Sequence, residues 1–139
     1  MALSKNEIVK KIDDFEFVLR DTVASTLHVY RTALMNSDAS GNVKLSTDAA
    51  SEIFAGVAVE ELNQDSSASA GDNQVEMISK NSGKTIKVKL TGVTKANVGS
   101  KAYAKADDEV QLVGDATNDV EIGIIVNVAD VTNYCYVRI

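Results

Sequence analysis

A chain of 139 residues fits one domain, or one domain with an arm, and its formal net charge of −6 argues against a general nucleic-acid binder. The single cysteine, Cys135, excludes an intrachain disulfide, and no apolar run approaches membrane-spanning length. Proline and tryptophan are absent, so the core must come mainly from Val, Ile, Leu and Ala, and the turns from Gly, Asn and Asp.

Residues 4–21 carry a helix pattern. Ser4-Lys-Asn-Glu7 has capping-box spacing, and Ile8, Ile12, Phe15 and Leu19 follow at intervals of four, three and four, on one face. A competing reading covers the second half, because Phe15-Glu-Phe-Val-Leu-Arg20 also alternates like a strand. Either way the segment is an arm or seam with an apolar stripe, and a stripe of this kind serves as core or as a contact to other subunits. Val23 to Leu34 is β-like. It contains His28, the only histidine, which has no second His, Cys or ligand-spaced carboxylate beside it and so reads as a surface or structural side chain.

Asn36 to Asn42 is a turn cluster, Val43 to Leu45 a short strand, and Ile53 to Val59 a buried strand. Gly56 within it marks a bulge or a close backbone approach. Asn63 to Asp72 is small, polar and aperiodic, which predicts a loop. Val75 to Ile78 resumes the strand pattern, and Asn81-Ser-Gly83 predicts a hairpin to Lys84-Thr-Ile-Lys-Val-Lys-Leu90. Ser100 to Lys105 and Val110 to Val113 form a second hairpin around Asp107-Asp108. Val120, Ile122, Ile124, Val126 and Val128 are expected to share one face of the longest strand, and Tyr134 to Ile139 closes the chain as a strand with Cys135 as a buried thiol.

Charge is segregated along the chain. Residues 80–105 hold seven lysines and no acid, residues 32–79 one base and eight acids, and residues 106–139 one base and seven acids. Two readings follow: neighbouring strands pair opposite charges on a solvated face, or the charges form a docking surface.

The chemistry motifs are missing. The acidic clusters lack the calcium-loop pattern, no serine sits in a G-x-S-x-G elbow, and the lysine-rich stretch is interleaved with aromatics only at Tyr103. The residues alone give a mostly-β binding or structural module, with no enzyme activity, cofactor or metal expected.

The order of the segments carries further. Val29-Tyr-Arg-Thr-Ala-Leu34, a Ser-Gly turn, a short strand and Phe54-Ala-Gly-Val-Ala-Val-Glu60 resemble the start of phage capsid decoration (cement) proteins, with their "D-x-x-G" turn and "F-x-G-[IV]-A" strand. Leu90 to Tyr103 is similar to "ITxADVGKxVY", Asp107 to Leu112 to "DD-x-x-V-x-L", Ile122 to Val126 to "IGxVV", and Tyr136 to Ile139 to "VxVxL". The resemblance covers residues 29–139; the absence of proline departs from it, and residues 4–21 have no counterpart in it. It implies a mainly β fold, a small β-barrel or β-sandwich with an N-terminal helical or extended arm at residues 1–28 and a decoration domain at 29–139. It further implies a virion protein made in the host cytoplasm, with the major capsid protein as partner, a homo-oligomer with the trimer favoured, and no direct contact with nucleic acid or membrane. The expected capsid or intersubunit contacts are Ile8, Ile12, Phe15, Phe17 and Leu19. The rival expectation is a virion-displayed β-domain that binds host-surface glycans through an aromatic-lined cleft. A hydrolase using His28 as base is the weakest.

Overall fold

The computed structural model describes residues 18–22, 28–64 and 68–139, with side chains described from residue 28 onward. The fold is mainly β. Three sheets account for it, and their strands pair antiparallel.

The first sheet has the order β1-β7-β5-β3-β4, built from β1 (Val18–Thr22), β3 (Leu34–Ser37), β4 (Val43–Leu45), β5 (Ile53–Ala58) and β7 (Gln74–Ser79). A small ribbon pairs β2 (His28–Val29) with β6 (Leu62–Asn63). The second five-stranded sheet has the order β10-β9-β11-β12-β8, from β8 (Thr85–Lys89), β9 (Lys101–Ala104), β10 (Val110–Gln111), β11 (Glu121–Val128) and β12 (Tyr134–Arg138). This sheet curls until its two edges meet, where Lys89 at the end of β8 bridges Glu109 just before β10. Closure removes part of an edge that would otherwise offer unpaired backbone groups to another chain.

The principal core fills the curl of the second sheet and the face of the first sheet turned toward it. It joins Val88, Ala102, Ile122, Ile125, Cys135 and Val137 to Leu34, Phe54 and Val57. A second cluster, including Val29, Met35, Val43, Val75 and Met77, occupies the opposite face of the first sheet and the β2 ribbon. Small β-branched residues and alanines dominate both clusters, as the scarcity of aromatics requires.

Much of the sequence pattern survives. The Asp107-Asp108 hairpin joins β9 to β10, and Cys135, Val137 and Ile139 alternate inward. Four expectations change. First, residues 18–21 are not helical: they belong to β1, paired Val18↔Ile78 through Thr22↔Gln74, as the alternating reading of that stretch had it. The rest of the helix pattern, with Ile8, Ile12, Phe15 and Phe17, lies outside the described residues, and Leu19 stands opposite Met77 in β1. Second, the Val23–Leu34 run is interrupted. Beyond β2 a turn with Thr32 at a positive φ of 73° precedes β3.

Third, Asn81-Ser-Gly83 turns the chain but makes no hairpin. It carries the chain from β7 in the first sheet to β8 in the second, and the Gly83 N–H donates to Ile139 O at 2.8 Å. Positive-φ residues specify a sharp turn and say nothing about which strands will pair. Fourth, β11 does not keep one face. Ile122 and Ile125 are buried whereas Ile124 is exposed, because the pairing register shifts near Gly123 on one side and again near Val126 on the other. Each shift inserts a residue and exchanges the two faces. Gly123 is required there: an added Cβ would lie 2.0 Å from Arg138 O. Gly56 is the matching case in β5, with Ile78 O at 2.2 Å from such a Cβ, and it lies beside a register shift against β3.

Candidate functional site

Three arrangements of polar and charged side chains depend on this topology. The first closes the second sheet. Glu109, with a mostly buried side chain, accepts a hydrogen bond from Thr91 Oγ1 at 2.7 Å and from Lys105 Nζ at 3.0 Å, with Lys89 Nζ at 3.9 Å. The Thr91 hydroxyl and then the Lys105 ammonium hold its carboxyl below the usual range, against a smaller opposing effect of burial. Lysines 89 and 105 of the basic stretch are thereby matched to an acid of the following acidic segment, and Lys101 is likewise matched to Glu121 at 3.0 Å. Lys101 and Glu121 pair across the neighbouring strands β9 and β11, whereas Lys105 and Glu109 lie four residues apart across the hairpin turn.

The second ties the sheets together. Asp48, in the connection between β4 and β5, accepts from the Thr117 N–H at 2.7 Å, the Asn118 N–H at 2.9 Å and Gln111 Nε2 at 3.0 Å. Asn118 Nδ2 donates in return to Asp48 O at 2.9 Å. The Thr117 N–H is the largest cause of a lowered Asp48 pKa; burial opposes it, and the Asn118 and Gln111 donors add to it.

The third is a cleft of about 750 Å³ between β8 and the neighbouring parts of β3, β5 and β7. Leu34, Val57, Ile86 and Val88 give it apolar walls, and Tyr30, Tyr134, Arg31 and Asp107 give it polar groups. The Leu34 N–H donates to Asp107 O at 2.7 Å, fixing the tip of the β9–β10 hairpin against the first sheet.

His28 sits beside this region. Its Nε2 lies 2.7 Å from Glu61 Oε1, and its ring stacks on Tyr30 at 4.1 Å between centroids. The contact links His28 in β2 to Glu61, the residue before β6, across the two-stranded ribbon. Among the described residues no group of three or more His, Cys, Asp or Glu is placed to hold a metal ion. Cys135 is fully buried, and burial pushes its thiol pKa up.

Strand pairing also produces a surface that separation in sequence conceals. The outward side chains of the second sheet form rows across strands. Lys101 in β9 stands opposite Ile124 in β11, Ile124 opposite Arg138 in β12, and Arg138 opposite Thr85 in β8. In the next row Asn127 stands opposite Tyr136, and Tyr136 opposite Lys87. Tyr134 then faces Lys89, and the Lys87 ammonium lies 5.5 Å from the centre of the Tyr134 ring, within cation–π range. Reading only nearest neighbours in sequence finds Tyr103 beside the lysines, yet Tyr103 is largely buried, and Tyr134 and Tyr136 are the ones placed among the cations.

No protein-family model, curated protein or solved structure matches this chain.

Proposed function

We propose that this chain is a structural virion protein that binds the outside of an expanded phage head and stabilises contacts between capsomers. The observation that carries the reading is the ordered run of segments resembling decoration proteins between Val29 and Ile139. Those segments coincide with the parts that make the fold: Phe54 and Gly56 in β5, the Asp107-Asp108 hairpin, Gly123 in β11 and the inward residues of β12. The polar networks at Glu109 and Asp48 are spent on joining strands and sheets, which suits a protein whose task is mechanical.

A clip that binds only the assembled, expanded lattice stabilises that lattice by mass action. Several copies held together multiply weak contacts into lasting attachment, so an oligomer, with a trimer favoured, fits the role. The major capsid protein is the partner, and neither nucleic acid nor membrane is needed. Ile8, Ile12, Phe15, Phe17 and Leu19 remain the proposed capsid or intersubunit contacts. Because β1 begins at Val18, the truncation that tests them removes residues 1–17 and leaves the edge strand intact. Loss of head binding with an unchanged melting temperature supports the role of the first four; undiminished binding by the truncated chain rejects it. Leu19, within the retained strand, is tested by Leu19→Ser.

The cleft favours a second reading, a virion-displayed domain that binds host-surface glycans. Tyr30 and Tyr134 supply ring faces there, and Arg31 and Asp107 supply hydrogen-bonding groups. Binding of a glycan panel, lost in Tyr30→Ala, supports that reading. Binding restricted to expanded heads and absent from every glycan rejects it.

A further inference from the structure

The outward face of the second sheet has the anatomy of a protein-docking patch. Ile124 is 46% exposed and Tyr136 36% exposed, and they lie on neighbouring strands, β11 and β12. Around them stand Lys87, Lys89, Lys101 and Arg138. Lys101 and Lys89 have acids beside them, in Glu121 and Glu109. Neither Lys87 nor Arg138 forms an ion pair among the described residues, although the chain as a whole carries six more acids than bases. An apolar and aromatic centre with a charged rim is how protein interfaces are commonly arranged. We infer that this face docks on an acidic protein surface of the particle, with Ile124 and Tyr136 covered at the centre and Lys87 and Arg138 pairing with carboxylates at the rim.

This occupant fits better than the others. A nucleic-acid strand or anionic glycan would use the cations and tyrosines but would gain little from covering Ile124. A second copy docked face to face about a two-fold axis would set Lys87 and Arg138 against themselves. The net charge adds orientation: an acidic partner is repelled by the acidic segments, so encounter is steered to this basic face.

The inference rests on the capsid-binding reading, and the test separates the two. Wild-type protein, Lys87→Glu/Arg138→Glu and Ile124→Ser are each co-sedimented with expanded heads at about 50 mM and about 500 mM salt. Poly-L-glutamate immobilised on a surface serves as an acidic probe independent of heads, and single-stranded oligothymidine as a polyanion probe. Circular dichroism and melting temperature confirm folding, which exposed substitutions on the outer face leave intact. The expected result is about a tenfold or greater loss of head binding in the double variant at low salt, a smaller loss in Ile124→Ser, and a wild-type advantage that shrinks at high salt. Heads bound equally by all three proteins overturn the docking face while leaving the capsid-binding reading standing. If wild type binds no heads, that reading falls. The face is then judged on poly-L-glutamate, where failure of wild type to bind, or equal binding by the double variant, overturns it. Oligothymidine binding by wild type that survives in Ile124→Ser, together with no head or polyglutamate binding, replaces the acidic protein with a nucleic acid and also overturns the inference. A self-associated species abolished by the double variant, without head binding, assigns the face to another copy and rejects it as a particle contact.

Discussion

The Thr117 N–H donates to Asp48 Oδ2 at 2.7 Å, joining residues 69 apart in sequence and linking the β4–β5 connection of the first sheet to the β10–β11 connection of the second. With the Asn118 and Gln111 donors, the carboxylate accepts three hydrogen bonds, and Gln111 Nε2 also donates to Ala104 O at 2.7 Å. Asp48→Ala leaves the Thr117 and Asn118 N–H groups to solvent and is expected to lower unfolding free energy by roughly 1–3 kcal/mol, with Asp48→Asn losing less because one acceptor oxygen remains. Urea unfolding followed by circular dichroism measures both.

Acid should destabilise the fold through three carboxylates. Asp48 is lowered chiefly by the Thr117 N–H and Glu109 chiefly by the Thr91 hydroxyl. At Glu52 burial is the largest single influence and raises the pKa, but hydrogen bonds from Lys44, Asn36 and Thr47 together outweigh it and leave a net lowering. A carboxyl lowered in the folded state contributes stability that is fully present above its unfolded pKa, near 4. That contribution is lost as pH falls through the lower folded value. The melting temperature is therefore expected to stay level in this respect above about pH 5 and to fall below about pH 4. Asp48→Asn and Glu109→Gln should each flatten that fall.

Gly56→Ala and Gly123→Ala should be among the most damaging single substitutions. The new Cβ would meet the backbone carbonyl oxygen of Ile78 at 2.2 Å or of Arg138 at 2.0 Å, and a paired backbone cannot swing aside as a flexible side chain can. Losses of about 1–3 kcal/mol or more are expected, against a small effect for Gly114→Ala, whose Cβ would meet nothing within 4 Å. Thermal unfolding of the three variants checks the order.

These two glycines also show what the sequence could and could not convey. Gly56 stands out as an interruption in a buried apolar strand, and a close approach is the physical reason for it. Gly123 lies within a run of β-branched residues whose even alternation suggests one continuous face. The bulges that turn Ile124 outward arise from the pairing partners β9 and β12, which local periodicity does not encode. The same limit hides the docking face. Lys87, Lys101, Ile124 and Arg138 become neighbours only once β8, β9, β11 and β12 are ordered in space. Strands with simple alternation and a buried face, such as Tyr134–Arg138, are legible because burial alone fixes their register.

Cys135 should report global unfolding. The side chain is fully buried and burial raises its pKa, so thiolate is scarce and reagent access requires opening of the core. Modification by a thiol reagent is expected to be slow in the native protein and to accelerate along the urea transition. Fast labelling without denaturant would mean that β12 opens locally.

The claim that this chain is a capsid-binding structural protein is tested most directly by co-sedimentation with expanded and unexpanded phage heads at near-physiological salt. The account predicts saturable binding to expanded heads, no comparable binding to unexpanded ones, and greater resistance of the decorated heads to heat. Failure to bind expanded heads, or equal binding to both forms with no gain in particle stability, would contradict it.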